Sequence, residues 1–394
     1  MRKLRKHIIL AIFLSLVLIP YIAFAKVSGV CSNCHTMHAS QSPWPSEWSS
    51  GVEGNPQPYL LATMGSSPCV GCHSSSSSST YYDLGGCKVP VVFYTGSGAP
   101  TSYLAGGNFW WVKEGLGGDD TKGHNVFYNE GDDYLEKAPG DVGFSSCVSN
   151  CCHANLHLPL PKDVTVIGPD NKPLPKEVYS CQGCHLRVKH HADDHANGES
   201  GLVGLIGQGT VEEAKGWYRF LAGHMSGAEH GVRGYEHGEW EAGLHDGGNH
   251  QGASDHNEYL GSEITGGYGF NGLGHTTTAF CTGCHGVFHQ QQKIGDSWVR
   301  HPSDAKIPNS GEYADVGGDT HLYDPLSPVG KQDISDETPD TTVTPGTDMV
   351  MCLSCHRPHG SPYPDLLRWD YLSQEAGGGG DDKGCFYCHT QKND

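Results

Sequence analysis

The chain has 394 residues, with 25 Lys and Arg against 44 Asp and Glu, which gives a formal net charge of −19 at pH 7. Such a charge disfavours nucleic acids and anionic membranes as partners, and either favours cations or basic proteins or only keeps the protein in solution. Glycine contributes 55 residues, twice the usual share of about 7 per cent, and Gly, Pro and Ser interrupt every apolar stretch. An ordinary layered core of long helices and sheets is therefore excluded.

The N-terminus has the features of a Sec-type signal peptide. The basic segment 1–6 precedes an apolar run over 8–24, and Ala23 and Ala25 fit the small-x-small rule for cleavage. We predict a signal peptide over residues 1–25 and one exported domain over 26–394. Removal of four basic residues takes the net charge from −19 to −23. No later segment approaches the ~20 apolar residues that a membrane span needs.

Six copies of Cys-x-x-Cys-His follow along the mature chain. Two thiols three residues apart can each add to a vinyl group of one porphyrin, and the next residue, His, then reaches the iron. Each copy is therefore predicted to attach one c-type haem. The copies are Cys31, Cys34 and His35; Cys69, Cys72 and His73; Cys181, Cys184 and His185; Cys281, Cys284 and His285; Cys352, Cys355 and His356; and Cys385, Cys388 and His389.

A seventh attachment site has a longer loop. Cys147 lies five residues before Cys152, which is followed directly by His153, and this spacing gives Cys-x4-Cys-His. We predict a haem here, so that the chain carries seven covalently bound haem c groups. The alternative is a cysteine cluster that forms a disulfide.

The number of cysteines agrees with seven haems. The chain has 16 Cys, of which seven sites use 14, and Cys87 and Cys151 remain. Two remaining thiols in an oxidising compartment predict one disulfide between them. Zinc is the other common ligand of Cys-x-x-Cys, but zinc sites pair two such knuckles and need no His directly after the second Cys.

The segments between the motifs have few regular elements. In chain order, we predict a surface loop over the serines 74–79, a strand over 89–94, a second strand over 104–112, and ordered coil or a surface loop over 303–348. The predicted fold class is mostly coil with short helices and a few short strands. The haems then form much of the core of a single continuous body, so folding is coupled to haem insertion.

The surplus of histidine predicts a second imidazole ligand for each iron. Of the 25 His, seven belong to the motifs and His7 to the signal peptide, which leaves 17 for seven places. Several follow a motif histidine by three or four residues, about one helical turn, and can reach only the iron of a neighbouring haem. The predicted second ligands are His38, His124, His157, one of His190 and His191, His289, His301 and His359, with His275 and His321 in reserve.

The remaining histidines between His224 and His256 are either solvated, which we favour, or a cation site.

Seven stretches of the chain resemble the outer-surface multihaem cytochromes of metal-reducing bacteria, and most closely the OmcS/OmcE-like cytochromes that polymerise into extracellular nanowires. The stretches are 34–41, 104–109, 123–126, 280–289, 299–302, 351–370 and 384–390. The resemblance implies a mostly coil fold, a continuous stack of haems with two His ligands each, and a head-to-tail homopolymer in which His38 ligates a haem of the adjacent subunit.

Three functions remain open from the sequence. The preferred one is extracellular electron transfer through a filament, with haems close together within and between subunits. The second is a discrete electron carrier in the periplasm or on the outer surface. The third is a multihaem reductase, which needs an open iron position, often marked by Lys in place of the motif His. All seven motifs end in His, so we predict an electron-transfer protein without catalytic residues.

Overall fold

The computed structural model describes the mature chain in sections. These cover residues 69–70, 72–77, 79–84, 87–113, 118–126, 181–185, 205–206, 218–221, 231–263, 275–282, 285, 301–334, 339–378 and 383–392. Within these sections most residues lie in turns, bends and coil. The predicted fold class, mostly coil with short helices and a few short strands, is confirmed.

The described strands are two to four residues long and form three small sheets. A parallel pair joins β1 to β4, a hairpin joins β2 to β3, and a six-stranded sheet has the order β5-β6-β7-β9-β10-β8. Their bounds are β1 Ser74–Ser75, β2 Tyr81–Leu84, β3 Cys87–Pro90, β4 Phe93–Tyr94, β5 Leu205–Ile206, β6 Gly234–Tyr235, β7 Glu258–Leu260, β8 Ala305–Lys306, β9 Gly330–Lys331 and β10 Met349–Val350.

The helices in the described sections are single turns. Three are α-helical: α1 Cys181–Cys184, α2 Thr277–Cys281 and α3 Cys352–Cys355. The others are 3-10 turns at Phe109–Trp111, Asp120–Lys122, Tyr218–Phe220, Gly311–Tyr313, Pro364–Leu366, Tyr371–Ser373, Gly384–Tyr387 and Thr390–Lys392. No helix in these sections is both long enough and apolar enough to cross a bilayer.

Among the described residues, the apolar core forms three small clusters of four to six buried residues. One surrounds Phe109 next to the motif at 69–73, one surrounds Tyr323 next to the motif at 385–389, and one surrounds Tyr259 next to α2 and α3. Each cluster contains or packs against either a cysteine of an attachment motif or a residue next to such a cysteine in the sequence. The side-chain core is therefore organised around the predicted haem positions.

Two predictions for the segment 74–112 are wrong. Ser74 and Ser75 are buried at 5 per cent exposure and pair with β4, so the start of the serine run is a strand and not a surface loop. The predicted strand over 104–112 is a tight turn followed by the 3-10 helix at 109–111. The side chain of Asn108 accepts a hydrogen bond from the Trp110 amide and caps this helix, and a cap of this kind favours a helical turn over an extended chain.

Two other predictions are partly or fully confirmed. The strand predicted over 89–94 exists as the end of β3 and as β4, with an interruption at residues 91–92. The described part of 303–348 is ordered and mostly coil, with β8, β9 and the 3-10 turn at Gly311–Tyr313, and it is not a surface loop, because it contributes Ile307, Val316 and Val343 to a buried cluster. The domain bounds 1–25 and 26–394 stay a prediction.

Candidate haem sites

Five of the predicted attachment motifs lie wholly or mostly in the described sections, and all five share one backbone hydrogen bond. The amide of the motif histidine donates to the carbonyl oxygen of the first cysteine at 2.8 to 3.1 Å, which closes one α-helical turn. A single turn brings residues three and four apart to the same side, as attachment of one porphyrin requires. The pairs are His73 and Cys69, His185 and Cys181, His285 and Cys281, His356 and Cys352, and His389 and Cys385.

The rings of three motif histidines are oriented by backbone carbonyls. Nδ1 of His73 lies 2.9 Å from the Pro90 oxygen, Nδ1 of His185 lies 2.7 Å from the Arg219 oxygen, and Nδ1 of His356 lies 2.7 Å from the oxygen of residue 365. A carbonyl oxygen can only accept, so Nδ1 carries the proton in each ring. The lone pair is then on Nε2, the tautomer suited to binding iron.

Two of the predicted second ligands are held in the same way. His124 Nδ1 lies 2.8 Å from the Pro358 oxygen, and His301 Nδ1 lies 2.9 Å from the Pro302 oxygen. His359 is positioned by packing: its ring lies on Phe109 with ring centroids 4.7 Å apart, and its amide donates to the Gly106 oxygen at 2.7 Å.

Three pairs of histidine rings have the spacing of two ligands on one metal ion. The ring centroids of His124 and His285 are 6.1 Å apart, those of His185 and His359 are 6.0 Å apart, and those of His301 and His389 are 6.2 Å apart. Two imidazoles that bind the same ion at about 2 Å each have ring centres about 6 Å apart. Each pair joins a motif histidine to a predicted second ligand from a distant part of the chain.

Burial keeps two of these rings neutral. Burial, followed by repulsion from His285, lowers the pKa of His124 to about 4. Burial, followed by repulsion from His185, lowers the pKa of His359 to about 3. Both imidazoles are therefore uncharged at neutral pH, and neutral imidazole is the form that binds a metal.

The two reserve histidines resemble the ligands in their hydrogen bonds. Nδ1 of His275 lies 2.9 Å from the Gly231 oxygen, and Nδ1 of His321 lies 2.9 Å from the Val316 oxygen. Both residues have a left-handed backbone, with φ of 57° and 51°, a conformation that non-glycine residues adopt only when the surrounding structure enforces it. Their rings are therefore fixed in the same tautomer as those of His124 and His301.

Two histidines of the 224–256 cluster contact carboxylates through Nε2 instead. His245 Nε2 contacts Glu241 at 2.9 Å, His250 Nε2 contacts Asp246 at 2.7 Å, and His256 contacts backbone carbonyls through both ring nitrogens. His245 and His256 are fully buried, so the prediction that this cluster is solvated is wrong for these two. In the described part of the chain, no group of three or more His, Cys, Asp or Glu side chains could hold a metal ion by itself.

Neighbouring attachment motifs touch through their cysteines. The thiol of Cys69 forms a hydrogen bond with Cys181, and the thiol of Cys352 forms one with Cys281. Burial, followed by the nearby Cys355, raises the pKa of Cys388 to about 12. Two contacts therefore join motif 69–73 to 181–185 and motif 281–285 to 352–356, and the electrostatic effect of Cys355 on Cys388 indicates that motif 352–356 lies near 385–389.

The dipeptide Pro358–His359 connects two groups of neighbouring motifs: the pair at 69–73 and 181–185, and the three at 281–285, 352–356 and 385–389. The Pro358 oxygen accepts from His124, which pairs with His285, and the His359 ring pairs with His185. The five described motifs therefore form one continuous series in chain order, which the spacing of the motifs along the sequence did not reveal.

Several predicted residues lie outside the described residues. Cys87 is described, with its Sγ 3.9 Å from the Lys88 oxygen, but its predicted disulfide partner is not, so that disulfide stays a prediction. The other predictions outside the described residues are the signal peptide, Cys31, Cys34, His35, His38, Cys147, Cys151, Cys152, His153, His157, His190, His191, Cys284 and His289.

The turn at Gly107 supports the position of His359 and gives a testable prediction. Gly107 pairs with Gly360, its φ is +91°, and a Cβ added to it would overlap the Gly360 carbonyl oxygen. We expect Gly107→Ala to destabilise the holoprotein by on the order of 2 kcal/mol and to weaken the low-spin signal of one haem. Thermal unfolding and electron paramagnetic resonance measure the two effects.

Gly98→Ala is the matched control. A Cβ at Gly98 meets no atom within 4 Å, and this glycine has no left-handed φ. The control should unfold at the wild-type temperature with an unchanged haem spectrum. If both variants had the same unfolding temperature and the same haem spectrum, the Gly107 turn would have no role in positioning His359.

Residues 344–394 match the family model described as the doubled CXXCH motif, and this stretch contains the motifs at 352–356 and 385–389. The chain is similar to an outer membrane cytochrome S filament from Geobacter sulfurreducens, with 20% identity over 95% of this chain and 93% of that chain and a TM-score of 0.42. It is also similar to the OmcS nanowires from Geobacter sulfurreducens, with 20% identity over 93% and 91% and a TM-score of 0.41. No curated protein matches.

Proposed function

We propose that this protein is an exported multihaem c-type cytochrome that transfers electrons outside the cell, with seven covalently bound haems. The observation that carries the proposal is the set of three imidazole pairs with ring centroids 6.0 to 6.2 Å apart, each next to a Cys-x-x-Cys-His turn. A bound haem iron with two imidazole ligands supplies reversible one-electron chemistry and leaves no position open for a substrate.

The three pairs support a proposal of second ligands for three motifs. His124 serves the motif at 281–285, His359 the motif at 181–185, and His301 the motif at 385–389. The other four motifs draw their ligands from His38, His157, His190 or His191, and His289, with His275 and His321 as the described alternatives. The pairing of His359 with another motif supports the argument that a histidine three residues after a motif histidine serves a neighbouring haem.

Electron transfer over the length of the chain needs the motifs to be close together. The contacts between Cys69 and Cys181, and between Cys352 and Cys281, bring successive attachment sites together, and the peptide at 358–359 connects the remaining gap. The exposed His301 lies beside His389 of the last motif. This end of the series is therefore accessible to a redox partner or to a second subunit.

We extend the proposal to a homopolymer in which His38 of one subunit ligates a haem of the next. The sequence resemblance supports this extension, and so does the surface position of the last motif. Export through the Sec pathway and location at the cell surface or outside the cell follow from the predicted signal peptide. The alternative is a discrete carrier with the same haems and no polymer.

Electron microscopy of the holoprotein collected from outside the cells, combined with a haem assay, tests the proposal. We expect seven haems per chain and thin filaments with a repeat of one protomer. Uniform small particles with seven haems would favour the discrete carrier. A protein without covalent haem would contradict the proposal. Persistent binding of CO or nitrite to one haem would favour a reductase.

A further inference from the structure

Two arginines next to the motif at 352–356 lie in the interior of the protein. Arg357 directly follows the motif histidine and has 0 per cent exposure, and Arg368 has 4 per cent. Arg368 is attached to the same motif, because its amide donates to the Cys355 oxygen at 2.9 Å and its Nε donates to the Leu353 oxygen at 2.6 Å. Arginine is among the residues that are almost never fully buried unless paired.

Among the described residues, the guanidinium of Arg357 has hydrogen-bond donors without acceptors, whereas each nitrogen of Arg368 has an acceptor. Arg357 Nη1 donates to the Ala105 oxygen at 3.3 Å and to His245 Nδ1 at 3.2 Å, and its guanidinium lies over the Tyr103 ring. The Nε and Nη2 atoms of Arg357 are buried and have no hydrogen-bond partner among the described residues. Arg368 uses its donors, but all of its acceptors are neutral carbonyls. A buried donor without an acceptor costs about 1–3 kcal/mol, and more when it is charged.

The carboxylate on the Arg357 side of this cluster is bonded to His245 and not to the guanidinium. Arg357 donates to Nδ1 of His245, so the proton of that ring is on Nε2 and the ring is neutral; burial, followed by Arg357, lowers the pKa of His245 to about 4. His245 Nε2 in turn donates to Glu241 at 2.9 Å. Burial raises the pKa of Glu241, but its hydrogen bonds with His245 and the Asn257 amide outweigh burial and hold the pKa below the ordinary value.

Two buried carboxyl groups act on this cluster: Glu241 on Arg357 and Asp324 on Arg368. In the described residues no carboxylate lies within 4 Å of either guanidinium. Buried charges need a partner, and Nε and Nη2 of Arg357 have none among the described residues.

We propose that a haem propionate is the missing anion and that it binds Nε and Nη2 of Arg357, with the charge of Arg368 nearby. The inference rests on the proposed function, since c-type haem brings two carboxylates into the interior of the protein. The planar guanidinium fork matches a carboxylate in a bidentate contact. A positive charge beside a haem favours the form with the added electron, so this contact raises the reduction potential of the haem that carries the propionate.

Spectroelectrochemical titration of the holoprotein with Arg357→Gln tests this effect. Loss of the charge should lower the reduction potential of one haem by at least about 59 mV, which corresponds to a tenfold change in the equilibrium constant for one electron. The potentials of the other haems should stay unchanged. Lys306→Gln is the control, because Lys306 is half-exposed and pairs with Glu263; it should leave every component unchanged. An unshifted curve for Arg357→Gln with the full haem content would overturn the inference.

Two further measurements keep the test decisive if the Gln variant does not fold. Arg357→Lys keeps the charge but loses the fork, so redox-difference infrared spectra should show a shifted carboxylate band with nearly unchanged potentials. In a density map of the wild-type holoprotein, a propionate oxygen should lie within hydrogen-bond distance of Nε or Nη2. A solvent anion at that place, or propionates that all face solvent, would overturn the inference. Absence of haem from the wild-type protein would instead contradict the proposed function.

Discussion

Replacement of His359 by Met raises the reduction potential of one haem and leaves the other components of the reduction curve unchanged. The reason is that His359 is proposed to ligate the iron at 181–185, where its ring faces that of His185 with centroids 6.0 Å apart, and Met in place of one His raises the potential of a haem. The shift in reduction potential should exceed about 59 mV, which corresponds to a tenfold change in the equilibrium constant of one-electron reduction. Spectroelectrochemistry and electron paramagnetic resonance of the holoprotein measure it.

Two comparison variants make this result specific. His124→Met should perturb a different haem, that of the motif at 281–285, so that the double variant shows two shifted components. His250→Met is the control, because His250 is half-buried but its Nε2 contacts Asp246. A wild-type spectrum for His359→Met, or the same shifted component in both single variants, would refute the pairing.

We expect that the chain does not fold without haem attachment. The described helices and strands are two to five residues long, and isolated helices shorter than about 12 residues are marginal in water. The side-chain clusters contain only four to six buried residues each. Exported chain from cells that lack the c-type maturation machinery should therefore have the far-UV circular dichroism of an unfolded protein and should be digested quickly by protease.

The same reasoning predicts unequal effects of removing single haems. Loss of Cys352 and Cys355 affects the motif that contacts 281–285, lies near 385–389 and adjoins the buried Arg357. Loss of Cys385 and Cys388 affects a motif at one end of the described series. The first double substitution to Ala should lower the thermal unfolding temperature more than the second. An apoprotein with a native far-UV spectrum would contradict the coupling of folding to haem attachment.

The sequence predicts the attachment motifs and the fold class because both depend on local information. The spacing of Cys352, Cys355 and His356 fixes one helical turn, and the structure has this turn in each described motif. The excess of Gly and the lack of long periodicities predict the scarcity of regular elements. His124, His301 and His359 are predicted second ligands, and each faces a motif histidine.

The wrong predictions depend on contacts between distant segments. Ser74 and Ser75 are small and polar, but pairing with Phe93 and Tyr94 buries them. The apolar run ending in Trp110 and Trp111 has the composition of a strand, but the cap at Asn108 turns it into a helix. Hydropathy alone cannot reveal either arrangement.

The buried arginine pair was also missed at the sequence level. The only local signal was Arg357 directly after a motif histidine, and surface exposure is the usual state of such a residue. Its burial depends on Ala105 and His245, which lie 252 and 112 residues away in the chain.

A cryo-electron microscopy map of the native holoprotein directly tests the pairing of the motif histidines with their second ligands. The pairing predicts three irons, one midway between His124 and His285, one between His185 and His359, and one between His301 and His389, with porphyrins attached to the adjacent cysteines. A map in which His359 binds the iron of its own motif at His356, or in which these three pairs hold no iron, would contradict it.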